Sequence, residues 1–255
     1  MNLQNSEYLL ARAGPDLAEI RHAQSGQVKH RLAISGLHCS LEVRGVLYLG
    51  TQYKQVYAID SKTYKTLAVR EVASSVNSLV VSEDLGVILA AQSGGLVAVF
   101  KISGSTTHLE KQKEVKLCPK NISKIVRTSR SDFALATETG VYFAAFKPPN
   151  TYNLQLTQEA QPCLDGKDIT ELSEYAHDQF VAGQWSENDF LIFDRKHAKN
   201  RGNETIKQPL WCNALCTDLV PLPGYHPVAF PFYLAKTMRS VNLLDFKNQE
   251  CHVLV

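Results

Sequence analysis

The sequence predicts an all-β fold, a β-propeller of about six (five to seven) four-stranded antiparallel blades, and two observations carry this prediction. A short apolar run, closed by one bulky residue and one polar residue, recurs about every 40–50 residues. Each repeat also holds several short segments rich in β-branched and aromatic residues, separated by Gly, Asp, Asn and Ser. The recurring runs end at Ile20-Arg21, Ile59-Asp60, Phe100-Lys101, Phe146-Lys147, Phe193-Asp194 and Leu244-Asp245.

The third repeat shows the blade pattern most clearly. Segments 78–81, 87–91 and 96–100 are predicted strands, and a more polar fourth strand follows near 108–115. The turns between them carry Gly, Asp and Ser, which supply turn geometry. A strand that is covered on both faces by neighbouring sheets is expected to be a continuous apolar run, as 87–91 is.

The remaining repeats align on the third and predict four strands each after the first. Their predicted strands are 39–43, 46–50, 55–60 and 65–72; 124–128, 133–137, 141–146 and 153–157; 169–173, 179–183, 190–194 and 205–210; 218–222, 228–230, 239–244 and 251–255. The first repeat gives three strands, at 8–12, 17–21 and 28–34. We therefore predict a single domain, 1–255, with blades near 1–36, 37–75, 76–119, 120–165, 166–212 and 213–255.

The first repeat lacks its innermost strand, which leaves the predicted ring open at its seam. Propellers usually close by lending a terminal strand across the seam, because closure removes exposed strand edges. Three explanations are open at the sequence level. The chain is part of a longer protein, the ring closes through a segment other than the strands predicted above, or a partner supplies the missing strand.

The bulk composition is that of an ordinary globular protein. Hydrophobic residues make up 44% of the 255, charged residues 20%, and the net charge is +2. Such a charge gives no global attraction to nucleic acid or membranes. No apolar run reaches the roughly 18–20 residues that span a bilayer, and segment 1–7 has no signal-peptide pattern. We expect a cytoplasmic or nuclear protein whose six cysteines are reduced.

The recurring runs lie where WD40-repeat propellers end their third strand with Trp-Asp, and the sequence resembles that family in a divergent form. No Trp occupies the position, and Asp60, Asp194 and Asp245 keep the Asp. The Gly-His pair of the family survives as Gly36-Leu37-His38. The segment 55–65 is also similar to the quinoprotein-type repeat. The resemblance implies a non-catalytic scaffold that binds proteins or peptides, mostly on one face.

The resemblance also implies where that face lies. In the family, the loops between the second and third strands and the loops between blades share it. We expect Tyr53, Trp185 and Tyr233 to project there as aromatic anchors, since Trp and Tyr dominate interface hot spots. The alternative is that each ring folds back over its own loop.

A basic stretch offers a second candidate site. Seven cations stand against one acid, Glu114, in residues 111–130. Clustered cations favour an anionic ligand such as a phosphoinositide, an acidic peptide or RNA. Lysines on a solvated outer strand would equally serve to prevent strand-to-strand aggregation. The seven are Lys111, Lys113, Lys116, Lys120, Lys124, Arg127 and Arg130.

Metal, cofactor and catalytic patterns are weak throughout. Cys212 and Cys216 are four residues apart, with His226 and His252 downstream, whereas structural zinc sites commonly use two-residue spacers. No phosphate-binding glycine loop, nucleophile elbow or His-Glu-x-x-His motif occurs. We therefore expect no cofactor, no metal and no enzymatic activity. The expected function is a scaffold subunit of a larger assembly, and the alternatives are anion binding through 111–130 and a propeller-fold enzyme.

Overall fold

A computed structural model describes residues 8–22, 24–102, 109–147, 152–157, 163–184, 189–195, 204–207, 216–221, 232–237, 241–245 and 250–253. Within these ranges the chain is almost entirely β, as the sequence predicted, with 23 strands in six antiparallel sheets. The first sheet has three strands and each of the other five has four. Every sheet is a simple meander, in which strands adjacent in sequence are hydrogen-bonded neighbours.

The strands group as the sequence predicted. The first sheet is β1 (Tyr8–Arg12), β2 (Ala18–His22) and β3 (Val28–Leu32); the second is β4 (Leu37–Val43), β5 (Val46–Thr51), β6 (Gln55–Asp60) and β7 (Thr66–Glu71). The third is β8 (Val76–Ser82), β9 (Val87–Gln92), β10 (Leu96–Ile102) and β11 (Leu109–Lys116). The fourth is β12 (Ile122–Arg127), β13 (Asp132–Thr137), β14 (Gly140–Phe146) and β15 (Leu154–Leu156). The fifth is β16 (Ile169–Ala176), β17 (Gln179–Gln184), β18 (Asp189–Asp194) and β19 (Glu204–Lys207); the sixth is β20 (Cys216–Pro221), β21 (Phe232–Thr237), β22 (Val241–Asp245) and β23 (Glu250–Val253).

The chain divides into two compact units. Unit 1 is Met1–Ile122 with Phe146–Gln155, and unit 2 is Ser123–Ala145 with Leu156–Val255. The first three sheets lie in unit 1, and the fifth and sixth lie in unit 2. The fourth sheet contributes residues to both.

In unit 1 the sheets stack face to face, so that the second sheet is covered on both sides. Leu47, Leu49 and Ile59 pack with Ile20 and Leu10 of the first sheet. The alternate side chains of the same strands, including Tyr48 and Ala58, pack with the third sheet. Burial on both faces explains why β5 and β9 are buried at every residue.

In unit 2 the same stacking forms an aromatic core. Phe143 of β14 packs edge-on against Phe180 of β17, with ring centroids 5.5 Å apart. Phe180 in turn stacks on Phe193 of β18, at 5.2 Å. Both Phe180 and Phe143 are almost fully buried. Rings at these distances add pairwise attraction to their large buried area.

A bulge recurs at the second residue of the first strand. The register of β4 on β5 shifts between Leu37 and Cys39, and β8, β16 and β20 shift at the corresponding place. A β-bulge leaves one residue outside the ladder and re-aims its side chain. The residues at this position are polar: His38, Asn77, Thr170 and Thr217.

First strands also bond to the first residue of the next sheet. The amide of Asn77 donates to the carbonyl of Ile122 at 2.8 Å within unit 1. The hydroxyl of Ser123 donates to the carbonyl of Ile169 at 2.6 Å within unit 2. Cys39 directs its Sγ at the carbonyl of Val76, at 3.9 Å. These bonds satisfy backbone acceptors where one sheet meets the next.

The second strand of the last repeat was predicted at 228–230, which lies outside the described residues. The strand that pairs with both β20 and β22 is β21, which begins at Phe232. In β8 the more deeply buried residue is Leu79, whereas Val80 is only half-buried. None of the helices among the described residues has the length and apolarity to cross a bilayer.

We predict that Val97→Asp abolishes cooperative folding. Val97 is fully buried in β10 between Ala91 and Val115, and an unpaired buried charge costs several kcal/mol. A thermal melt followed by circular dichroism measures the effect. Val69→Asp is the control, because Val69 is exposed on the edge strand β7. A folded, cooperatively melting Val97→Asp protein would show that the register of the third sheet is wrong.

We predict that Asn77→Ala lowers the free energy of unfolding by about 1–2 kcal/mol, since it leaves the carbonyl of Ile122 without its donor. Urea denaturation measures this change. His38→Ala is the matched control, because His38 occupies the same bulge position but is exposed. We expect it to change stability by less than about 0.5 kcal/mol. Equal effects of the two substitutions would refute the role of the Asn77 bond.

Candidate interaction face

In unit 1 the loops at one end of the sheets are joined by hydrogen bonds into a continuous surface, here called the loop rim. It consists of residues 13–17, 33–36, 52–54, 72–75, 93–95 and 117–121. They are the loop between β1 and β2, the loops between the second and third strands of the second and third sheets, and the loops that lead to the next sheet. The last two kinds are the loop classes that the family resemblance implied for the binding face.

Most of the hydrogen bonds that join the loops of the rim are formed between backbone groups. Gly36 N–H donates to the carbonyl of Pro15 at 2.6 Å, and Gln52 N–H donates to the carbonyl of Gly36 at 2.8 Å. The hydroxyl of Ser75 donates to the carbonyl of Gln52 at 2.8 Å. Ser93 N–H then donates to the carbonyl of Ser75 at 2.9 Å. Each loop is therefore fixed by the one beside it.

The far end of the rim is closed around Gly95. Gly94 N–H donates to Oδ1 of Asn121 at 2.7 Å, and Leu117 N–H donates to the carbonyl of Gly95 at 2.9 Å. Gly95 has φ +78, and a Cβ there would collide with the carbonyl group of Cys118. Only glycine lets the two loops approach this closely.

Tyr53 lies on this rim and is the most exposed large hydrophobic side chain in the described part of the chain, at 54%. Its ring covers Gly36, where an added Cβ would stand 2.8 Å from Cδ2 and 2.9 Å from Cε2. The ring is therefore supported from below by the neighbouring loop and open to solvent above. Tyr53 thus packs on the neighbouring loop and still presents an aromatic face to solvent.

The other two predicted anchors do not join Tyr53. Trp185 lies outside the described residues. Tyr233 was predicted in a loop, but it lies within β21, opposite Leu244 and Pro221. Because its backbone is paired on both sides within the sixth sheet, Tyr233 is a strand residue and not a loop residue.

The linker 72–75 is held from beneath by Glu114. Its carboxylate accepts hydrogen bonds from Ala73 N–H at 3.0 Å and from the Gln92 amide at 2.8 Å, and it pairs with Lys111 at 3.3 Å. The oxygen of the Gln92 amide accepts from Ser74 N–H at 2.8 Å. Burial raises the pKa of Glu114, but these donors outweigh burial and hold the pKa below its ordinary value.

The basic stretch is divided rather than gathered in one patch. A bulge in β11 places Lys111 opposite Phe100 and Lys113 opposite Val99. Adjacent residues of a strand face opposite sides, so the two lysines lie on different faces of the sheet. Lys111 pairs with Glu114, and Lys113 donates to Oδ1 of Asn153 at 3.1 Å.

The remaining cations of the stretch differ in environment. Lys124 pairs with the buried Glu171 at 2.9 Å, and Arg127 donates to the carbonyl of Ser129 at 2.8 Å. Lys116, Lys120 and Arg130 are exposed. Much of the predicted cluster is therefore engaged in holding the sheets.

Unit 2 carries acidic groups near its turns. Burial and the neighbouring Glu138 raise the pKa of Asp168. Glu174, His177 and Asp178 bring three potential metal-ligand atoms within 4.8 Å of one another. The Glu174 carboxylate accepts from Asp178 N–H at 3.0 Å, and Asp178 lies 3.6 Å from Arg195. These contacts hold Glu174 and Asp178 in one turn beside Arg195.

The structure describes the side chains of three of the six cysteines. Cys39, Cys118 and Cys163 are buried free thiols, as expected for small hydrophobic residues. Burial raises the pKa of Cys118 to about 12. Cys212 and His226 lie outside the described residues.

One repeated feature escaped the sequence analysis. The second strand of each sheet from the second to the fifth ends in a buried polar residue: Thr51, Gln92, Thr137 and Gln184. Thr51 and Thr137 bond the turn that follows, through Gln55 and Gly140. The preceding Gly or Ala in every case is the signal that could have revealed the repeat.

Comparisons with known proteins define the fold and leave the family open. No family model and no curated protein matches the chain. A computationally designed protein, Ika8, matches with a TM-score of 0.63 and 11% identity, over 96% of this chain and 70% of its own. The dihydro-heme d1 dehydrogenase NirN, solved with DHE, matches with a TM-score of 0.66 and 10% identity. That match covers 97% of this chain and 53% of NirN, so the chain spans about half of the enzyme's length.

Together the sheets and the structural matches show a propeller-like all-β fold. A total of 1539 solved chains match, so the fold is shared too widely to indicate a function.

We predict that Glu114→Gln reduces stability in a pH-dependent way. Because the folded pKa is lowered, the stabilisation by the carboxylate is present above the ordinary value of 4.5 and is lost as the pH falls through the folded value. Melting temperatures between pH 7 and pH 3 should show the difference from wild type shrinking toward acid pH. Glu110→Gln on the same strand is the control. A constant difference at all pH values would contradict the assignment.

Proposed function

We propose that the chain is a non-catalytic interaction scaffold, a WD40-like propeller of about six blades that serves as a subunit of a larger assembly. The observation that carries the proposal is the loop rim of unit 1, a hydrogen-bonded surface on which Tyr53 is held and exposed. A rigid aromatic group loses little conformational freedom on binding, which suits it to anchor a partner.

The rim also has the character of a protein-binding surface rather than of a reaction site. Gly and Ser account for eight of its 24 residues, and each of its loops is hydrogen-bonded through backbone groups to a neighbouring loop. Preorganised loops reduce the ordering cost of association. The raised pKa values of Asp168 and Glu174 arise in unit 2 and do not belong to this rim.

The first sheet supports a further element of the proposal, a strand supplied by a partner. Among the described residues it contains β1, β2 and β3, whereas the other sheets contain four strands. In those sheets the first strand lies beside the strand equivalent to β1. An extended partner segment added there would complete the blade by β-augmentation.

Anion binding through the basic stretch is a separate prediction. It now depends mainly on Lys116 and Lys120, which are exposed, because Lys111, Lys113 and Lys124 pair with carboxylates or an amide. Binding to phosphatidylserine vesicles or RNA that fell steeply with salt, and that Lys116→Glu abolished, would support it.

Affinity purification of the tagged chain at low and high salt, followed by mass spectrometry, tests the scaffold proposal. We predict that Tyr53→Ala reduces recovery of a salt-resistant partner at least about tenfold, because hot-spot aromatics carry about 2 kcal/mol or more. Recovery of the same partner is also measured with the Trp185→Ala variant. Val69→Ala, at an exposed site on β7, is the control. Unchanged recovery with Tyr53→Ala, at an unchanged melting temperature, would remove Tyr53 as an anchor.

A further inference from the structure

We propose that the turn Gln52-Tyr53-Lys54 binds an acidic segment of a partner protein. A carboxylate of that segment pairs with Lys54, and an adjacent apolar side chain packs on Tyr53. The inference rests on the proposed scaffold function and names the chemistry of its partner.

The first observation is the backbone of Lys54. Its φ is +63, in the left-handed region that side chains with a Cβ rarely adopt. The equivalent turn position after β9 holds glycine, Gly95, with φ +78. A lysine therefore stands where the corresponding turn of the third sheet uses glycine.

The turn is held in this conformation by bonds to both of its ends. Gln55 N–H donates to Oγ1 of Thr51 at 3.2 Å, and the Thr51 hydroxyl donates back to the carbonyl of Gln55 at 3.2 Å. Val72 N–H donates to the carbonyl of Lys54 at 2.9 Å. The surrounding structure thus imposes the unfavourable backbone on Lys54. Such strain, when imposed at an exposed position, points to a role for the side chain.

The second observation is the charge of the loop rim. Its charged residues are Asp16, Lys54 and Lys120, and all three are exposed. Neither lysine makes an ion pair or hydrogen bond through its side chain within the described residues. The nearby Glu114 is already paired with Lys111. The rim therefore offers two unengaged cations, and Lys54 adjoins the exposed ring of Tyr53 in the chain, which complements an acidic and partly apolar segment.

Arg44, at the other end of the second sheet, provides a control for Lys54. Arg44, in the turn between β4 and β5, also has a positive φ, +50, and is also exposed. Its guanidinium pairs with Glu83 at 3.0 Å. Arg44→Gly and Lys54→Gly each relieve one left-handed residue and remove one positive charge, but only the second alters the rim.

The test is selection of a random 12-residue displayed peptide library on the immobilised full chain, followed by anisotropy titration of the most enriched peptide. We expect enriched peptides to carry Asp or Glu next to a bulky apolar residue. We expect Lys54→Gly to weaken binding at least tenfold while its melting temperature stays equal to or above that of wild type. Arg44→Gly should bind like wild type, and Lys54→Arg should retain most of the affinity.

Three results would overturn the inference: enrichment of basic or uncharged peptides, no enrichment above a blank surface, or wild-type affinity of Lys54→Gly. Its failure is distinguishable from failure of the scaffold proposal. If Tyr53→Ala loses a cellular partner while Lys54→Gly keeps it, the scaffold stands and the acidic-segment inference falls. If no recovered partner depends on Tyr53, both fall.

Discussion

Burial of the sheets on both faces is the constraint on which the rest of this structure depends. Strands such as β5 and β9, buried at every residue, leave their polar backbone groups no access to water except at the sheet ends. The chain meets this demand at the loop rim, where the carbonyls of Pro15, Gly36 and Gln52 each accept a bond from an adjoining loop. The same bonds that satisfy the backbone also fix Tyr53 at the surface. Stability and the candidate site thus have one origin.

The repeated units of the chain resemble one another more in backbone geometry than in sequence. A bulge at the second residue of the first strand recurs in the second, third, fifth and sixth sheets, although the residue there is His38, Asn77, Thr170 or Thr217. Several polar residues satisfy the same backbone acceptor, as the bonds from Asn77 and Ser123 show. No family model matches the chain, although its fold is propeller-like.

The sequence was sufficient for the strands and their grouping, because short β-branched runs between turn residues reflect local preferences and burial. It could not place Tyr233, since the pairing of β21 with β20 and β22 is a tertiary feature, and it could not divide the basic stretch, since the bulge in β11 has no marker in the sequence. The partners of Lys124 and Lys113 lie 47 and 40 residues away in the chain. Contacts of that range, and the left-handed backbone of Lys54, follow from tertiary packing alone.

Amide hydrogen exchange of the loop rim tests the central claim most directly. We predict that the N–H groups of Gly36, Gln52, Ser93 and Leu117 exchange slowly. Each lies outside a strand but is hydrogen-bonded to an adjoining loop. Exposed turn residues at the opposite end, such as Lys62 and Thr63, whose N–H groups bond only to the side chain of Asp60, serve as the internal comparison. If the rim amides exchanged as fast as these turn residues, the loop rim would not be held by hydrogen bonds between its loops.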